Sequence, residues 1–105
     1  MPEDRLDMDE RVFMVEFEIP VLTAEMMSLI PRQRMMINEY MLNKKISTYS
    51  LSLDRSRLWA VFTVDTEQEL IELVNALPMT PYMNYIYTEM MFHNMLQIVP
   101  DYSLN

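Results

Sequence analysis

The segment Leu77-Pro78-Met79-Thr80-Pro81-Tyr82-Met83-Asn84 constrains the fold of this chain more than any other. Two prolines fix two φ angles in a short connection, and so preset the angle at which the next stretch, Tyr85 to Phe92, enters a sheet as a strand. The residues before it read as a helix with its own start and stop. Thr66-Glu67-Gln68-Glu69 has the Ser/Thr-x-x-Glu form of a capping box, in which Thr66 and Glu69 satisfy exposed amides reciprocally. Leu70, Leu73, Val74 and Leu77 recur at three-and-four spacing and make one apolar stripe, while Glu67, Gln68, Glu72 and Asn75 fall on the wet side. Pro78 ends the helix, because the residue before a proline is driven out of the α region. Ahead of the cap, Leu58 to Val64 is rich in β-branched and aromatic residues and reads as a strand.

The first half of the chain repeats this pattern less sharply. Phe13, Val15, Phe17 and Ile19 alternate with Met14, Glu16 and Glu18, the period of a strand with one strongly apolar face, and Pro20 closes it. Thr23 with Glu25 suits a helix start, and apolar residues recur from Met26 through Ile30, Ile37, Tyr40 and Met41. Pro31 either kinks one long helix or occupies the first turn of a second helix from Pro31 to about Asn43, where its missing amide costs nothing; the second arrangement is preferred. Asn43-Lys44-Lys45 supplies a turn. The chain has no glycine, so Asn43 or Lys44 must take up that turn at some strain cost. Ile46 to Leu53 reads as a second strand, and Asp54-Arg55-Ser56-Arg57 as a polar turn before the third.

The order is therefore β-α-β-β-α-β, an α+β chain whose expected architecture is the ferredoxin-like split βαβ unit: a four-stranded antiparallel sheet with both helices on one face. A chain of 105 residues that is 50% hydrophobic and 10% aromatic carries more apolar surface than one helical layer hides. At least a homodimer is expected, its two sheets facing each other in a dimeric α+β barrel. Residues 1–10 read as a flexible acidic tail and residues 11–94 as the domain. In residues 95–105, the run Met95-Leu96-Gln97-Ile98-Val99-Pro100 is apolar enough to dock on a neighbouring subunit.

Composition removes many functions. Sixteen acidic residues against eight basic give a formal charge of −8, which repels phosphate backbones and anionic membranes, so neither nucleic acid nor membrane is an expected partner. No apolar run approaches a membrane span, and Met1-Pro2-Glu3-Asp4 lacks the pattern of a signal peptide, which makes the cytoplasm the expected location. Zero cysteines exclude disulfides, thiolate catalysis and zinc-thiolate sites; zero glycines exclude the P-loop, the dinucleotide fingerprint and the nucleophile elbow. With one histidine, no multi-histidine metal site forms within one chain. No cofactor and no metal are expected.

From roughly Lys45 to His93 the chain resembles the muconolactone isomerase family. Val61-Phe62, Val64, Glu67 to Leu70, Leu77-Pro78, Pro81-Tyr82-Met83 and His93 carry the likeness, which is weaker from Phe13 to Asn43. The resemblance implies a dimeric α+β barrel, assembled further into a ring or shell, that acts on a small lactone in aromatic catabolism. That family carries basic and aromatic side chains on its first two strands. Here Met14, Glu16 and Glu18, then Ser47, Thr48, Ser50 and Ser52, stand in that region, and the nearest expected cations are Arg32, Arg34, Lys44 and Lys45.

Candidate catalytic groups are Glu16, Glu18 and His93. Glu16 and Glu18 project opposite Phe13, Val15 and Phe17; either they face the barrel interior, where burial makes a carboxylate a usable base, or they lie at a wet rim or pair with Arg55 or Arg57. His93 is either a proton shuttle at the barrel mouth or a polar strand-end contact. Candidate substrate-binding residues are Met14, Arg34, Thr48, Ser50, Trp59 and Tyr87. Trp59 shares a strand face with Val61 and Thr63 and is either pocket wall or dimer core. On the last strand, Tyr85, Tyr87 and Glu89 compete with Ile86, Thr88 and Met90 for the inside. The 13 methionines fill core and interface or line an adaptable pocket. Three functions follow: a cofactor-free isomerase moving a proton on a small lactone or related unsaturated carbonyl compound, a cofactor-independent monooxygenase on the same barrel, and a non-catalytic subunit that binds a small apolar or lactone-like ligand or serves assembly.

Overall fold

The alternation near the start of the chain becomes strand β1, Arg11–Glu18, in a computed structural model that describes residues 10–91. Phe13, Val15 and Phe17 are buried on one face, and Met14, Glu16 and Glu18 occupy the other. Thr23 caps the short helix α1, Ala24–Ser28, its hydroxyl accepting from the Met26 amide at 3.1 Å. Pro31 then sits in the first turn of a separate helix α2, Ile30–Leu42, which buries Gln33, Ile37 and Tyr40. Met41, expected on the apolar stripe, is exposed instead.

Lys44 makes the glycine-free turn at φ 63° and leads into β2, Ile46–Leu51. This strand ends two residues before Leu53 because the following turn holds itself. The Ser52 hydroxyl oxygen accepts from the amides of Ser56 and Arg57, and Asp54 accepts from the hydroxyls of Ser52 and Ser56 and from the Ser56 amide. These bonds, those from Ser56 first, pull the Asp54 carboxyl down to about 2. Arg55 takes a second left-handed conformation, φ 64°, where the sequence offers no glycine.

Strand β3, Arg57–Val64, leads to helix α3, Glu67–Ala76. Its cap differs from the expected reciprocal box by one residue. Thr66 Oγ1 accepts from the Glu69 amide at 3.0 Å, but Glu69 Oε1 reaches back to the amide of Asp65, at 2.8 Å, and its other oxygen pairs with Lys45 at 2.7 Å. The helix start is thereby tied to the start of β2. Leu77 is already extended, at φ −69° and ψ 135°, as the proline after it requires. A single 3-10 turn, Thr80–Tyr82, completes the joint. Thr80 donates to the Val74 carbonyl at 2.6 Å, and the buried Gln33 accepts from the Met79 amide at 3.0 Å, so the loop is fixed to both long helices. Strand β4, Asn84–Met90, follows.

The four strands lie in the order β2-β3-β1-β4, every neighbour antiparallel. This is an α+β fold compatible with the ferredoxin-like arrangement. The core lies between the sheet and the helices, where Phe13, Val15, Phe17, Ala60 and Phe62 meet Ile37, Leu70, Val74 and Leu77. β4 ends at Met90, two residues before the expected Phe92, and residues 1–9 and 92–105, which include His93 and the apolar tail, lie outside the described residues. Among the described residues, no helix is long and apolar enough to cross a membrane.

Candidate functional site on the open face of the sheet

Strand register decides which side chains share the face away from the helices. Met14 lies between Val61 on β3 and Thr88 on β4; Glu16 lies between Trp59 and Ile86; Glu18 lies between Arg57 and Asn84. On the far side of β3, a bulge between Ile46 and Thr48 inserts Ser47 as an extra residue. Ile46 therefore opposes Phe62 on the helix side, whereas Thr48 opposes Val61 and Ser50 opposes Trp59 on the open side.

The face is amphipathic and concave. Met14, Glu16, Trp59, Ile86, Thr88 and Met90 line a depression of about 280 Å³. Next to it, toward the chain end of β1, Glu16, Glu18, Arg57 and Asn84 border a second hollow of about 160 Å³, and Arg57 continues into a third of about 320 Å³ bounded by Pro20, Ser56 and Tyr82. Arg57 organises the acids here. Its guanidinium donates to Glu16 Oε2 at 2.6 Å and stands 3.8 Å from Glu18 Oε2. Of the two arginines expected as partners for these acids, Arg55 and Arg57, Arg57 is the one that engages them.

Met14, Glu16, Glu18, Thr48, Ser50 and Trp59 are thus brought to one face. Two candidates stand apart. Arg34 is exposed on α2, in the helical layer on the opposite side of the sheet. Tyr87 also faces the helices: its ring packs edge-on against Phe13 with centroids 5.8 Å apart, and its hydroxyl donates to Glu67 at 2.6 Å. That bond raises the Tyr87 hydroxyl above its usual range, Glu67 being the main cause. The competition on β4 is settled accordingly, with Ile86, Thr88 and Met90 on the open face. His93 lies outside the described residues.

Arg57 is the cation that sequence reading placed only as a partner for the acids. Its signal was present, as a basic residue at the first position of a strand, but its place beside Glu16 and Glu18 depends on a register between strands far apart in sequence. Among the described residues no group of three histidine, cysteine or acidic side chains is placed to hold a metal ion. The arrangement offers an apolar wall of Trp59, Met14 and Ile86, hydroxyls at Thr88, Thr48 and Ser50, and one carboxylate at the floor's edge.

Fold and face together define an α+β protein with a four-stranded antiparallel sheet whose open side carries an amphipathic depression. No protein-family model matches the sequence, and no curated protein matches it.

Proposed function

We propose that two copies of this chain close their open faces into an α+β barrel and that the enclosed space binds a small unsaturated carbonyl compound of the lactone type. Glu16 acts there as the base of a cofactor-free isomerisation, in the manner of the muconolactone isomerases that the Lys45 to His93 segment resembles. The observation that carries the reading is the depression of about 280 Å³ with Trp59 and Met14 as walls and Glu16 at its edge. Its volume lies near the lower bound of the roughly 300–1,000 Å³ typical of ligand pockets, and two facing half-sites enlarge it. Acidic composition without cysteines accords with action in the cytoplasm.

Arg57 engages Oε2 of Glu16, and Oε1 is the oxygen that takes the proton. Removal of a proton α or γ to the lactone carbonyl sends the electron pair into a dienolate, whose oxygen is stabilised by a hydroxyl such as Thr88 or Thr48. The same carboxyl then returns the proton to the other end of the conjugated system, moving the double bond with no net redox change.

A second reading, a non-catalytic binding or assembly subunit, is favoured by one observation: the acids of this face are bonded to Arg57. Proton exchange separates the two. In heavy water, NMR of muconolactone and neutral unsaturated lactones should show enzyme-dependent deuterium uptake that Glu16→Gln abolishes, and native mass measurement should show a dimer. Binding without uptake would leave the non-catalytic reading, oxygen consumption would point to a monooxygenase, and a stable monomer at micromolar concentration would remove the barrel.

A further inference from the structure

We infer that this site selects a neutral ligand and discriminates against one bearing a carboxylate; the inference rests on the reading of the open face as the ligand-binding surface. Two carboxylates, Glu16 and Glu18, share one guanidinium on this face, at 2.6 and 3.8 Å. Apart from Arg57 itself, the neighbours that the register sets beside them are uncharged: Trp59 and Ile86 flank Glu16, and Asn84 lies opposite Glu18. Among the described residues the face therefore keeps an uncompensated negative charge, and closing two copies together doubles it.

The other described cations are committed or placed elsewhere. Arg11 makes a two-pronged bond to Glu89, at 2.8 and 2.7 Å, and lies over the ring of Phe13 on the helix side. Lys45 is bonded to Glu69 at the start of α3. Arg32 and Arg34 belong to the helical layer, Lys44 and Arg55 to exposed turns. Among the described residues an anionic ligand thus has only Arg57 to turn to. Taking Arg57 would leave Glu16 and Glu18 without their partner beside a third negative charge, and a charge left unpaired in a closing site carries a heavy desolvation cost. A neutral carbonyl compound disturbs nothing: its apolar body lies on Trp59 and Met14, and the Arg57 pairs stay intact. The charge balance thus separates this site from one built for a carboxylated lactone.

Trp59 is the chain's single tryptophan and stands in the wall of the depression, so its fluorescence reports binding directly. The test titrates the full-length protein with a neutral alkyl-substituted butenolide and with the same ring carrying a carboxymethyl group, in low salt and at neutral pH. The neutral compound should bind at least about tenfold more tightly, since like-charge juxtaposition is strongly unfavourable. Glu18→Gln, a change at an exposed position, should narrow that gap by strengthening binding of the carboxylated compound. Equal or tighter binding of the carboxylated compound would overturn the inference while leaving the face as a ligand site. A preference unmoved by Glu18→Gln would overturn its electrostatic basis. Absence of any response to either compound, in fluorescence and in ligand-observed NMR, would overturn both this inference and the reading beneath it.

Discussion

The helix side of the sheet carries three phenylalanines, Phe13, Phe17 and Phe62, at 2%, 1% and 0% exposure, whereas the open side carries Ile86 at 66% exposure and a half-buried Trp59. Each buried phenylalanine meets a tyrosine whose hydroxyl reaches a helix. Phe13 packs on Tyr87, which donates to Glu67; Phe17 packs on Tyr85, which donates to Asn75; Phe62 packs on Tyr40, which donates to the Leu73 carbonyl. An aromatic body is buried and its polar end is satisfied in the same stroke. On the open side the polar groups satisfy one another across the strands, Arg57 with Glu16 and Glu18, and the apolar groups beside them line depressions. One face is finished by its own helices; the other is left open, and it is there that we propose a ligand and a second copy meet the chain.

Substitution on a single strand breaks this contrast most sharply. Phe62→Ala should cost about 3–5 kcal/mol, because it removes a fully buried ring and leaves a cavity under Tyr40. Trp59→Ala, on the opposite face of β3, should cost clearly less in chemical denaturation while abolishing the fluorescence response to ligand; equal costs would erase the distinction between the faces. Next in size is Gln33→Ala, expected to cost about 1–3 kcal/mol by leaving the buried Met79 amide without its acceptor. Faster hydrogen exchange at Met79, with α3 still protected, would place the loss in the proline joint.

The smallest effect concerns pH and the helix side's rim. The hydrogen bond from Lys45, then that from the Asp65 amide, holds the Glu69 carboxyl below its usual value; the bond to Glu69 raises Lys45 above its own. Glu69's contribution is therefore full above the usual glutamate range and is lost as pH falls through its lowered folded value. That of Lys45 is full below the usual lysine range and is lost as pH rises through its raised folded value. Lys45→Met should lower the melting temperature by a few degrees at most at neutral pH, as expected of a partly exposed ion pair, and should flatten both limbs of the stability profile. An unchanged profile would show that the bonds of Thr66 and Glu69 to the helix-start amides fix the start of α3 without Lys45.

Much of this was legible in the sequence because the signals are local. The cap at Thr66, the stop at Pro78, the split at Pro31 and the alternation of β1 each depend on residues within a few positions of one another. The strain of a glycine-free turn was legible too, and it falls on Lys44. The early end of β2 was not, since it follows from hydrogen bonds that Ser52 and Asp54 make only once the turn is formed. Of the candidate site, Met14, Glu16, Glu18, Thr48, Ser50 and Trp59 come together, but Thr48 and Ser50 do so through a bulge that no residue pattern announced.

The sequence by itself determined the order of the elements, the start and stop of α3 and the division of β1 into two faces, because capping, proline geometry and two-residue alternation act at short range. Only the tertiary structure decided that Tyr85 and Tyr87 turn toward the helices while Ile86, Thr88 and Met90 join Glu16, and that Arg57 serves both acids. Those outcomes depend on the register between β1 and strands remote from it in the chain. A slip of one residue would have carried every one of these side chains to the other face.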